Sequence, residues 1–175
     1  IQWAAGKING NYEATIDDKY LVTVLDDNPK DPMELAVLPN RDVLYIERGG
    51  VVKYRNNESG IIETAAELDV ESGREDGLLG IVLDPDFESN SWLYLFYSPA
   101  SPSEQRVSRF DYTDGEIALS SEEILLTIPV QRDECCHSGG DLEFDGNGNL
   151  FITTGDNTNP FQSDGFAPID ERDGR

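Results

Sequence analysis

Histidine and cysteine are nearly absent from this sequence: one His and two Cys in 175 residues, fused as Cys135-Cys136-His137. Two neighbouring cysteines cannot build a disulfide framework. Three consecutive side chains do not converge on one tetrahedral centre, and no fourth ligand stands at metal-site spacing, which argues against a Cys-Cys-His zinc site. Cations are scarce as well: 13 Lys and Arg face 35 Asp and Glu, a formal charge of -22. Nucleic-acid binding draws its affinity from clustered cations, so that class is excluded. The acidity reads first as solvation and colloidal stability, and second as a cation-binding surface. There is no apolar run of membrane-spanning length, so no helical span is expected. The opening "IQWAAGKING" has no charged n-region followed by an apolar h-region, so any export signal is expected to be cleaved or to lie outside this chain. Amphipathic helical periodicity is missing too.

What remains is strand patterning. Hydrophobic residues make up 38% of the chain, enough for a core, and they alternate or form short runs bounded by Gly, Pro, Asn and Asp. Three stretches share one design, a short apolar strand, a polar turn and a Leu-aromatic-Ile/Leu strand: "ELAVLPNRDVLYIER", "LGIVLDPDFESNSWLYLFYS" and "DLEFDGNGNLFITTGD". Their aromatics are Tyr45, Tyr94 and Phe151, at intervals of 94-45=49 and 151-94=57 residues. "VVKYR", "RVSRFDYT" and "EILLTIP" fit between them and bring the count to about four strands per repeat. A period of ~40 to 50 residues with several strands each predicts β-propeller blades. The expected organisation is a lead-in over residues 1–18 and about three blades over 19–175. Three blades do not close a ring, so the chain is expected to be about the first half of a larger propeller.

Two residues stand out for chemistry. The imidazole of His137 suits proton abstraction near neutral pH. Asp156, at the end of the last predicted strand, reads either as the acceptor of the His137 ring N–H or as the start of an Asx-turn with Asn157 and Thr158. "DGNGNLFITTGD" mimics a calcium loop, but Leu150 stands where an EF-hand needs Gly and Asp156 where it needs Glu. A hairpin turn with positive φ at Asn147-Gly148 is the expectation there. In Gly77-Leu78-Leu79-Gly80 the glycines are expected to allow close backbone approach and the leucines to fill the space between blades.

"EDGLLGIVLDPDFESNSWLYLFYS" (75–98) and "HSGGDLEFDGNGNLFITTGD" (137–156) resemble the N-terminal signature blocks of the glucose/sorbosone dehydrogenase family, the soluble PQQ-dependent sugar dehydrogenases. The resemblance covers residues 34 to 160. It implies an all-β, six-bladed propeller with pyrroloquinoline quinone on its axis beside calcium, and oxidation of a sugar or related alcohol with hydride passing to the quinone. His137 matches the family's proton-abstracting histidine and Asp156 its supporting carboxylate. Glu75 falls where a polar residue reaches towards the site. Asp141 stands where the family usually has arginine on the cofactor side, and Cys136 is a further departure. The family's calcium ligands fall mostly outside this chain.

A bond between Cys135 and Cys136 would be strained, because adjacent Cα atoms are ~3.8 Å apart and ordinary disulfides want ~4.4 Å or more. Other PQQ propellers carry such a vicinal disulfide against the quinone, which implies a cofactor-facing ring here. Free thiols, or pairing outside the chain, are the alternatives. The resemblance further implies a periplasmic, cell-surface or secreted protein, a c-type cytochrome or other electron acceptor, and the rest of the propeller as partner. The competing reading is a non-catalytic propeller that binds carbohydrate or serves assembly, which Asp141 favours.

Overall fold

The computed structural model describes residues 23–133 and 137–157. Its strands form two complete antiparallel meanders and one hairpin. The first sheet is β1 (Pro32–Val37), β2 (Val43–Glu47), β3 (Val51–Arg55) and β4 (Ile62–Glu67). The second is β5 (Leu78–Leu83), β6 (Trp92–Tyr97), β7 (Glu104–Thr113) and β8 (Glu116–Pro129). The hairpin is β9 (Gly139–Phe144) and β10 (Leu150–Thr154). One helical turn, α1 (Phe87–Asn90), joins β5 to β6. Strands follow one another in chain order within each sheet, the layout of propeller blades. Among the described residues no helix is long and apolar enough to cross a membrane.

Two-sided burial explains why the central strands read as continuous apolar runs. In β6, Leu93, Leu95 and Tyr97 pack into the core shared with the first sheet, while Tyr94 and Phe96 pack against the hairpin. Side chains alternate faces along a strand, so "WLYLFY" serves two interfaces at once. In β5 the register shifts between Leu78 and Gly80. That irregularity lets Leu78 and Ile81, three apart, face the first sheet while Leu79 faces the hairpin. The two leucines of the Gly-Leu-Leu-Gly block thus fill successive gaps between blades, as expected from sequence.

The first strands of the three sheets lie side by side around the inner edge. The Leu78 N–H donates to Arg48 O at 2.9 Å, and the Ile81 N–H to a carboxylate oxygen of Glu34 at 2.9 Å. At Gly80 a Cβ would sit 2.0 Å from Gly140 O, so the inner strands β5 and β9 approach too closely for any side chain there.

The repeat shows its limits in the aromatics. Tyr45 and Tyr94 are buried, and their hydroxyls donate to Asp26 and Asp84 at 2.5 and 2.6 Å. Phe151 occupies the matching position yet is 60% exposed, because among the described residues β10 pairs only with β9. Trp92 is covered by the Arg109 guanidinium, 3.8 Å above its ring. The lead-in expected over 1–18 lies outside the described residues, as do Cys135 and Cys136.

Candidate active site

In an antiparallel meander, the start of the first strand, the end of the second, the start of the third and the end of the fourth share one end of the sheet. The segments 73–77, 98–103, 130–133, 137–138 and 155–157 therefore gather at one end of the second sheet and the hairpin. His137 and Asp156 are in two of them, one just before β9 and one just after β10. Leaving and entering strands thus bring together residues 19 apart in sequence.

The ring of His137 meets Asp156, Nδ1 to Oδ1 at 2.7 Å. An ionised carboxylate only accepts, so Nδ1 carries a proton, and in the neutral ring Nε2 is the nitrogen with a lone pair for accepting one. Both side chains are partly exposed, 38% for His137 and 26% for Asp156, so the pair sits at a rim that solvent and a ligand can reach. Of the two readings of Asp156, the structure shows the contact with the histidine.

The backbone of His137 is held on both sides. It adopts φ +63, a left-handed conformation that costs a residue with a β-carbon about 1–2 kcal/mol. Its N–H donates to a carboxylate oxygen of Glu75, and its carbonyl accepts the Asn157 N–H at 3.3 Å. Asn157 is itself tied down, accepting the Gln131 N–H on Oδ1 at 2.7 Å and the Gln131 side-chain amide on its carbonyl at 3.0 Å. Glu75 meets His137 at its backbone N–H and not at its ring.

The other half of the Glu75-Asp76 pair was not singled out by sequence. Asp76 accepts the hydroxyls of Ser98 and Ser138, each at 3.1 Å, on the same oxygen. Its second oxygen lies 3.5 Å from Arg132 Nε. The loop that carries both acids is threaded by Arg48, whose guanidinium donates to the carbonyls of Ser72, Arg74 and Asp76. Its partners, 22 and 62 residues away, come from loops whose meeting only the fold reveals.

Asp141 has a different setting. Its backbone N–H donates to Thr153 Oγ1 at 3.0 Å, and its carboxylate is near enough to Glu34 of β1 to raise that residue's carboxyl. Burial, the largest influence, pushes Glu34 up to about 7; the Ile81 N–H opposes this, and Asp141 and Glu143 add to it. The folded-state value thus exceeds the unfolded one, so the native state binds this proton more tightly. The associated stability is fully present below pH ~4.5 and is lost as pH rises to about 7. Replacing Glu34 by Gln should leave stability at pH 4 unchanged and raise it at pH 8, by about 1 kcal/mol once solvent screening is allowed for. Denaturant titration of both proteins at the two pH values measures this; equal offsets at both would contradict it.

The "DGNGNL" segment forms the expected hairpin turn, with one correction. Gly148 has φ +82, whereas Asn147 is not in the left-handed region. The Gly148 N–H donates to Asp145 O and the Asp145 N–H to Asn149 O, so the loop turns before its single left-handed residue. Asp145 accepts side-chain and backbone donors of Asn147 and Asn149, which hold its carboxyl down at about 2. Among the described residues no three His, Cys, Asp or Glu side chains converge to hold a metal.

The family model for Glucose / Sorbosone dehydrogenase matches residues 29–168. The chain belongs to this family. It is 33% identical over 141 residues to "Aldose sugar dehydrogenase YliI" of Escherichia coli (strain K12), covering 78% of this chain and 38% of that protein. To "Quinoprotein glucose dehydrogenase B" of Acinetobacter calcoaceticus it is 27% identical over 142 residues, covering 74% of this chain and 29% of that one. Its fold is also that of the PQQ-bound aldose sugar dehydrogenase of Streptomyces coelicolor, with a TM-score of 0.72 at 24% identity over 85% of this chain and 45% of that chain. The chain thus spans less than half the length of these glucose/sorbosone dehydrogenase relatives, and its sheets are blades of a β-propeller.

Proposed function

We propose that this chain supplies the proton-abstracting side of a PQQ-dependent dehydrogenase that oxidises a sugar or related alcohol within a complete, six-bladed propeller. The observation that carries the reading is the 2.7 Å contact between His137 Nδ1 and Asp156, which leaves Nε2 as the base. Family membership and the 27% identical quinoprotein support the cofactor.

In this reading the substrate hydroxyl gives its proton to His137 Nε2 while the hydrogen on the same carbon leaves with its electron pair, and the alcohol becomes a carbonyl. A bound PQQ would supply the two-electron acceptor for that hydride. Asp156 holds the ring in the tautomer that can accept, and stabilises the imidazolium that forms. Glu75, Asn157 and the left-handed backbone fix the height of the ring above the rim. A positioned base of this kind contributes roughly 10² to 10⁴ in rate.

The residues present fit the base half of such a site. Calcium is proposed from the family resemblance, with ligands outside the described residues, because none of these forms a cluster for it. Glu75, Cys135, Cys136 and Asp141 are assigned to the cofactor side, Asp141 beside the buried Glu34. A periplasmic, cell-surface or secreted location and a c-type cytochrome as electron acceptor complete the proposal.

The test is reconstitution of the full-length protein with PQQ and calcium, followed by its absorbance spectrum and dye reduction with a panel of aldoses. A bound-cofactor spectrum and sugar-dependent reduction are expected. Neither one appearing would overturn the reading in favour of a binding propeller.

A further inference from the structure

We propose that Asp76 and Ser138 form a positioning pair for His137, holding the loop ahead of β9 in the backbone conformation from which the ring reaches Asp156. The inference rests on the reading of His137 as the base, and extends it to two residues that serve the site through the histidine.

Ser138 is 5% exposed, and its hydroxyl donates to Asp76 Oδ1 at 3.1 Å. The same oxygen accepts the hydroxyl of Ser98, which is fully buried. The other carboxylate oxygen faces Arg132, whose guanidinium donates to the carbonyls of Pro99 at 2.7 Å and Ala100 at 3.1 Å. One carboxylate therefore ties together the turn before β5, the β6–β7 loop and the segment before β9. With Glu75 beside it on the His137 N–H, the second blade grips the histidine's backbone while β10 and the residues after it grip its ring and carbonyl.

This division of labour is what the strained φ of His137 requires. A histidine released on the Asp76 side would relax towards negative φ and swing its ring off Asp156. Misplacing a reacting group by ~1 Å costs roughly 100-fold in rate. Leaving a buried hydroxyl or carboxylate without its partner costs about 1–3 kcal/mol in addition.

The experiment uses the full-length protein with Ser138→Ala, Asp76→Ala and Asp76→Asn, the last of which keeps an acceptor oxygen. With PQQ loaded, both alanine variants should lose roughly 10- to 100-fold in kcat with KM for the sugar within about twofold, and Asp76→Asn should recover most of the loss. Without cofactor, ¹⁵N-histidine NMR gives an independent readout, the His137 signals being those that vanish in His137→Gln. Wild type should show one tautomer with the proton on Nδ1, and both alanine variants a mixture. If Asp76→Ala does not fold, Ser138→Ala decides. Unchanged kcat and an unchanged tautomer in Ser138→Ala would overturn the pair while leaving the dehydrogenase reading intact. A wild type that neither takes up PQQ nor oxidises sugar, with the NMR difference still present, would do the reverse.

Discussion

Asp156→Asn should cut kcat by about 10³-fold in the full-length, cofactor-loaded protein while leaving its fold and thermal stability near wild type. An asparagine fits the same space, and its amide can donate to Nδ1 where the carboxylate only accepts from it. The ring then carries its proton on Nε2, the nitrogen that must take one from the substrate. In a serine protease the same substitution behind a catalytic histidine costs ~10⁴ by holding the wrong tautomer. The estimate here is lower because Asp156 is 26% exposed, so water can compete for Nδ1. Steady-state kinetics with one good aldose measures this, and a loss below about tenfold would contradict the role given to Asp156.

Gly155→Ala should destabilise the protein by about 3 kcal/mol or more, the upper range for overpacking, and abolish activity. A Cβ at position 155 would lie 1.6 Å from His137 O and 2.2 Å from its carbonyl carbon. Both are backbone atoms, so the clash cannot be relieved by a rotamer change, and it pushes directly on the residue that must keep φ +63. Gly146→Ala is the control, since nothing lies within 4 Å of its Cβ position. Denaturant unfolding of the two variants should separate them by most of that 3 kcal/mol. Similar midpoints would mean that the His137 loop has room to move.

The blades were legible in the sequence where burial is two-sided. "WLYLFY" and "VLYIE" announce themselves because both faces of β6 and β2 are covered. Strand β4, "IETAAE", escaped notice: its small and charged residues carry no alternating signal, and it is a strand because β3 pairs with it. The segments "RVSRFDYT" and "EILLTIP" were visible, but β8 begins seven residues earlier than the second, at Glu116. Apart from the buried Ile117, residues 116–122 are mostly exposed, on an outer strand that pairs only with β7 among the described residues.

At the site, His137 and Asp156 could be found because one stands two residues before Gly139 and the other directly after Gly155, at strand ends. Asp76 could not. Its role depends on Ser98 and Ser138, contributed by loops that meet only when a four-stranded sheet and a hairpin stack. The turn at Asn147-Gly148 was half legible, since Asn-Gly suits two left-handed residues while the five-residue loop 145–149 needs only one. Asp141 lies near Glu34, a residue nothing in the local sequence connects to it.

The most direct test of His137 as the base is single-turnover reduction of the PQQ-loaded, full-length protein by sugar, wild type beside His137→Gln, with cofactor loading matched by absorbance. The account predicts equal loading and a reduction rate lower by roughly 10² to 10⁴ in the variant. Reduction at the wild-type rate would contradict it.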